Sequence, residues 1–126
     1  AYGMFPGFFS HNASQGHYFT RPELYNRDRP LFKKYVPLCR LLAEAGWQPV
    51  TRARSSDQQV YLERFGDRYL TVLNDSQERR EVTIRLEQST PDSCRELLSG
   101  RDIVLKDNQI TWTLDAEDVA LIDLGE

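Results

Sequence analysis

The feature that most constrains this chain is a change of hydrophobic period part-way along it. Residues 28–47 carry Leu31, Phe32, Tyr35, Leu38, Cys39, Leu42 and Ala45 at the three- and four-residue spacing of one buried helical face. Val36 and Leu41 widen that stripe, so the helix expects cover on more than one side. Asp28 reads as its N-cap and Pro30 as a first-turn residue, while Pro37 predicts a kink. Gly46, in Ala45-Gly46-Trp47, predicts the stop. From residue 59 onward the period falls to two. One helical arm feeding a compact β-unit is an odd plan for a small enzyme and a natural end for a longer one.

The strands follow from alternation and turn chemistry. Residues 59–65 and 68–74 read as a hairpin across Gly66-Asp67, a Gly-X pair suited to a type II′ turn. Residues 81–88 alternate cleanly, with Val82, Ile84 and Leu86 inward. A short strand over 95–98 ends at Ser99-Gly100, and residues 103–105 and 109–114 read as a second hairpin across Asp107-Asn108. Ile110, Trp112 and Leu114 face inward there. The last strand, 119–124, is apolar on both sides and expects both faces covered, with the helical arm as the obvious cover. Residues 52–58 are polar apart from Ala53 and read as a hinge. The expected fold is therefore mainly β: an antiparallel β-sandwich of about seven strands preceded by a loop and one long α-helix. The expected division is residues 1–54, loop and arm, and residues 55–126, sandwich.

Composition sets limits. At 126 residues the chain is one domain by length and long enough for a core without disulfides or metals. A net charge of −3 gives no basic footprint for nucleic acid, and no apolar run reaches the length of a membrane span. Cys39 and Cys94 lack metal-ligand spacing; they read as two reduced thiols, with a disulfide as the other reading. The chain opens on the apolar run Tyr2-Gly3-Met4-Phe5-Pro6-Gly7-Phe8-Phe9, which reads as cut from a buried segment, so the expectation is a fragment of a longer protein.

A resemblance sharpens this reading. Residues 27–37 with Ala45-Gly46-Trp47-Gln48-Pro49-Val50 resemble the last helix of the barrel in large glycoside hydrolase-like proteins. Residues 60–66 and 69–76 look like the opening strands of the β-sandwich that follows such barrels. Glu96-Leu97-Leu98-Ser99-Gly100 and residues 118–124 are similar to its later strands. In order, these motifs cover most of the chain. The resemblance implies the C-terminal end of a glycoside hydrolase-like TIM-barrel protein, with the catalytic carboxylates on barrel strands before Ala1. It carries over no catalytic residue.

The residues themselves offer modest chemistry. Glu63, Glu87, Glu117 and Asp118 read as solvated surface rather than as a glycosidase pair. Asp115-Ala116-Glu117-Asp118 lacks the spacing of a calcium loop, and His11 and His17 have no third zinc ligand, so no metal and no cofactor is expected. Phe8, Phe9, His11, His17 and Tyr18 are the candidate substrate-binding set, since aromatic rings stack on sugars and imidazoles bond hydroxyls; ordinary loop packing is the competing reading. Trp112 is expected in the core and Trp47 between arm and sandwich, while Tyr61 and Tyr69 form a pair across the first hairpin that is either sugar-facing or core. The leading expectation is a non-catalytic region that stabilises a carbohydrate-active barrel; the alternative is an independent carbohydrate-binding module. The expected partners are the parent's barrel and carbohydrate, with self-association through the N-terminal arm if the barrel is absent.

Overall fold

A computed structural model describes residues 22–87 and 93–125. The chain divides into two compact units between Leu41 and Leu42. The first of these in sequence contains most of α1 (Pro22–Ala45), a 24-residue helix that begins six residues before the expected cap. Pro22 marks the start instead: proline at the first helical position loses no hydrogen bond that a helix would make. Asp28 is thus not a cap but pairs beside itself with Arg27, Nε to Oδ1 at 2.9 Å. Pro30 and Pro37 both lie inside the helix, each removing one donor. Phe32, Tyr35, Leu38 and Cys39 are half-buried, as their spacing predicts, whereas Leu31, Val36 and Leu41 are exposed.

The helix ends where glycine ends it. Gly46 takes φ +83°, and its N–H donates to the carbonyl of Leu42 at 2.9 Å, the single bond of a left-handed C-cap. The chain then enters the second unit through β1 (Trp47–Gln48) and β2 (Ala53–Ser55), followed by β3 (Val60–Phe65), β4 (Tyr69–Asn74), β5 (Arg80–Leu86), β6 (Ser93–Glu96), β7 (Asp102–Val104), β8 (Gln109–Leu114) and β9 (Val119–Asp123). The unit is an antiparallel sandwich of a six-stranded sheet, β1-β3-β4-β9-β6-β7, and a three-stranded sheet, β2-β5-β8.

Two expectations about connections fail for one reason: short polar segments join the sheets. The expected hinge contains β2, which pairs with β5 through Ala53 opposite Leu86 and Ser55 opposite Ile84. The expected second hairpin stops at a single bridge, Lys106 opposite Gln109. Asp107 and Asn108 do make a tight turn, both at positive φ, as two-residue turns of that type require. Its flanks then part: β7 pairs with β6, and β8 pairs with β5. The turn is a crossover between sheets.

The core lies between the sheets. Leu70, Val72, Ala120 and Ile122 from the large sheet meet Val82, Ile84, Ile110 and Leu114 from the small one, all within 1% of full burial. The alternation read at residues 81–88 and 109–114 therefore holds, except that Trp112 is half-buried at the core margin under the Arg101 guanidinium, 4.8 Å from the ring centre. Residues of the opposite parity point to the outer face of the large sheet. There Phe65, Tyr69, Thr71 and Leu121 are buried too. The last strand is closed on both faces, as its doubly apolar sequence predicts.

One contact fixes the end of the helix to this sheet. The Gly66 N–H donates to the Gly46 carbonyl at 2.7 Å, and β3 returns into β4 through Gly66-Asp67-Arg68, a three-residue turn rather than the expected two-residue one. A Cβ on Gly66 would stand 3.2 Å from the Ala45 carbonyl oxygen and 3.3 Å from the Ala45 Cβ, at φ +58°. Gly46 shares the left-handed conformation, but a Cβ there meets nothing within 4 Å. Gly46→Ala should therefore cost about 1 kcal/mol from backbone strain alone, and Gly66→Ala about 1 kcal/mol more. Denaturant midpoints of the two variants give the comparison; equal losses would contradict the close approach.

Candidate functional site

Phe8, Phe9, His11, His17 and Tyr18 lie outside the described residues. The described residues offer three polar constellations, and two of them are structural.

The first is built on Glu96. Its carboxylate is buried and accepts from the amides of Leu98 at 2.9 Å, Ser99 at 2.6 Å and Leu121 at 3.1 Å, and from the Ser99 hydroxyl. Burial alone would raise its pKa. The Ser99 hydroxyl and the three amides outweigh that and hold the carboxyl below its ordinary value. The group ties the 97–101 turn to the central strand β9. The Leu-Leu-Ser-Gly motif thus exists around a carboxylate that caps it.

The second sits at one end of the sandwich. Asn74, fully buried, donates through Nδ2 to the carbonyls of Glu78 at 2.8 Å and Asp115 at 2.9 Å. The Arg80 guanidinium reaches Ser76 Oγ, Asp57 Oδ2 and Gln59 Oε1, each at 2.8 Å. The amide of Gln59 and this guanidinium hold the Asp57 carboxyl below the usual range. Beside the network lies an open groove lined by Asp75, Glu78 and Glu117, all exposed to water. Asp115 pairs loosely with Arg79 at 3.6 Å and Asp118 accepts from the amide of Val119, so the 115–118 acids point to separate partners. Among the described residues no three His, Cys, Asp or Glu side chains converge as metal ligands. Cys39 and Cys94 are both free thiols; burial, helped by the negative charge of Asp123, pushes Cys94 up to about 11.

The third is the candidate site. β1 and β3 form the edge of the large sheet, and Trp47 stands opposite Phe65. Tyr61, Glu63 and Phe65 share its outer face by strand alternation. Phe65 is buried, but Trp47 is 51% exposed and Tyr61 45% exposed. Trp47 Nε1 donates to Glu63 Oε2 at 2.7 Å, a diagonal cross-strand bond that fixes the indole against the sheet. Two expectations are corrected here. Trp47 is largely open rather than packed away, because its row lies at the sheet edge. Glu63 is half-buried and engaged rather than solvated, since it sits between aromatic neighbours. Of the tyrosine pair, Tyr69 is buried and Tyr61 exposed. The sequence signal was present in the alternation of residues 60–65, but without the register of β1 nothing placed Trp47 beside Glu63.

No family model matches the chain, and no curated protein matches it. Among solved structures it is similar to an Anoxybacillus alpha-amylase, with 19% identity and a TM-score of 0.41 over 53% of this chain. It is also similar to Gan42B, a GH42 beta-galactosidase, with 18% identity and a TM-score of 0.36 over 67% of this chain. The chain spans 15% and 11% of the lengths of those two structures.

Proposed function

We propose that this chain is an accessory β-sandwich region of a glycoside hydrolase-like protein, packing against and stabilising a carbohydrate-active barrel of the same parent. The observation that supports it is the second buried face. A two-layer sandwich needs only its inner faces covered. Here Phe65, Tyr69, Thr71 and Leu121 line the outer face of the large sheet and this chain itself buries them, so the sheet already carries cover on both sides, as the inner wall of a larger body does. The order of the sequence motifs points to the same parent. The carboxylates that line the open groove are exposed, whereas a general acid needs burial to keep its proton near neutral pH.

The test has two parts. The reading frame that runs into the Ala1 codon should encode a β/α barrel with paired carboxylates at strand ends. In that parent, Phe65→Ser should shorten the half-life of activity at elevated temperature at least about tenfold and leave KM unchanged, because loss of packing acts through stability. A frame with no barrel, or a parent whose heat resistance ignores Phe65→Ser, contradicts the proposal. The exposed pair Trp47 and Tyr61 favours a second reading, in which the same domain also holds carbohydrate.

A further inference from the structure

We infer that the edge formed by Trp47, Glu63 and Tyr61 is a binding platform for a neutral oligosaccharide of pyranose rings. The inference rests on the second reading above for its ligand class and adds the residues and their roles.

The two aromatic residues share one face at the sheet edge. Along β3, Tyr61 and Glu63 are two residues apart on one face, and the row of Trp47 begins two residues further on. The two exposed rings are therefore anchored roughly 13 Å apart along the strand direction, with a carboxylate between them. A pyranose ring has an apolar face of C–H bonds and a rim of hydroxyls. The rings of Trp47 and Tyr61 match the first and the Glu63 carboxylate the second. Glu63 Oε2 is taken by the indole N–H, and Oε1 accepts no hydrogen bond among the described residues. That oxygen is at hand for a sugar hydroxyl without breaking the bond that orients Trp47. The bond also removes rotamer freedom from the indole before any ligand arrives, which lowers the entropic cost of binding.

The same features speak against a protein partner at this edge. Protein hot spots are contiguous apolar surfaces cleared of unpaired charge. Here a carboxylate divides the two rings, and a covering protein would have to desolvate it. A sugar chain leaves water on its far side and supplies donors along its rim. A cationic peptide would also suit a carboxylate between rings, and the test below separates it by using uncharged probes.

The experiment titrates the full chain with maltohexaose, cellohexaose and a β-galactotetraose, followed by tryptophan fluorescence and calorimetry. The chain has two tryptophans, and Trp112 lies under Arg101, so Trp112→Phe isolates the signal of Trp47. At least one probe should give a saturable change below about 10 mM. Trp47→Ala should weaken binding about tenfold or more, and Glu63→Gln about threefold to tenfold. Trp47→Phe should keep part of the affinity, which guards against a folding defect in the alanine variant. The inference is overturned if no probe saturates by about 10 mM. It is equally overturned if Trp47→Ala binds like the parent chain, or if sedimentation shows a dimer that Trp47→Ala dissociates, since the edge would then be a protein interface. None of these outcomes touches the reading-frame and heat-stability test of the accessory role.

Discussion

Replacing Glu96 by alanine should destabilise the sandwich by about 2–4 kcal/mol, because one buried and two part-buried backbone amides lose their acceptor. Each buried unsatisfied donor costs about 1–3 kcal/mol, reduced where water enters the space left behind. Glu96→Gln should cost less, since one carbonyl oxygen remains, but its amide turns a donor toward donors. The acid side gives an independent check. The folded carboxyl is held below its ordinary value of 4.5, so the unfolded chain takes up the proton first. The stability contributed by Glu96 is fully present above about pH 4.5 and is lost as pH falls through the lower, folded pKa. Denaturant melts between neutral pH and pH 3 should show a shallower acid decline for Glu96→Ala than for the parent chain. Parallel declines would mean that Glu96 is not held by the turn it caps.

Ile84→Ala should cost about 2–5 kcal/mol. Ile84 is fully buried and faces Ile110 across the β5–β8 ladder. It also pairs with Ser55 on β2, so the cavity would open at the centre of the small sheet, where three strands cannot easily collapse around it. Thr83→Ala, one residue away on the outward face, should cost well under 1 kcal/mol. Trp112→Ala should fall between them: its ring packs the core margin, but it is only half-buried and its other side carries Arg101. Chemical melts of the three variants rank them, and a loss at Thr83 equal to that at Ile84 would invert the assigned faces.

The sandwich was legible where period and burial coincide. Val82, Ile84 and Leu86, then Ile110 and Leu114, read inward and are inward, because a strand with one wet face must alternate. The doubly apolar β9 was legible for the opposite reason: a central strand with both faces closed has no wet side to mark. Pairing was not legible. Nothing local distinguishes a turn that closes a hairpin from a turn that carries the chain between sheets, so Asp107-Asn108 gave the right bend with the wrong partners. Ala53–Ser55 escaped notice because a three-residue edge strand with Ala53 and Ser55 facing inward carries one apolar residue, and one apolar residue shows no period. The helix start was misplaced for a related reason. Asp28 and Pro30 suit a helix beginning, but Pro22 suits it equally, and the choice between them is made beyond the local sequence. The candidate edge shows the same limit: Trp47, Tyr61 and Glu63 were each visible as residues, and the register that joins them was not.

The large sheet is buried on both faces at its centre. Thiol labelling tests it most directly. In the full chain with Cys39→Ser and Cys94→Ala to silence the native thiols, single cysteines are placed at Leu121 on the outer face of β9 and at Thr113 on the exposed side of β8. A water-soluble thiol reagent should modify the cysteine at position 113 at once and the one at position 121 at least about a hundredfold more slowly, limited by opening of the fold. Equal rates at the two positions would show the outer face open to water, and the account of a sheet covered on both sides would fall with it.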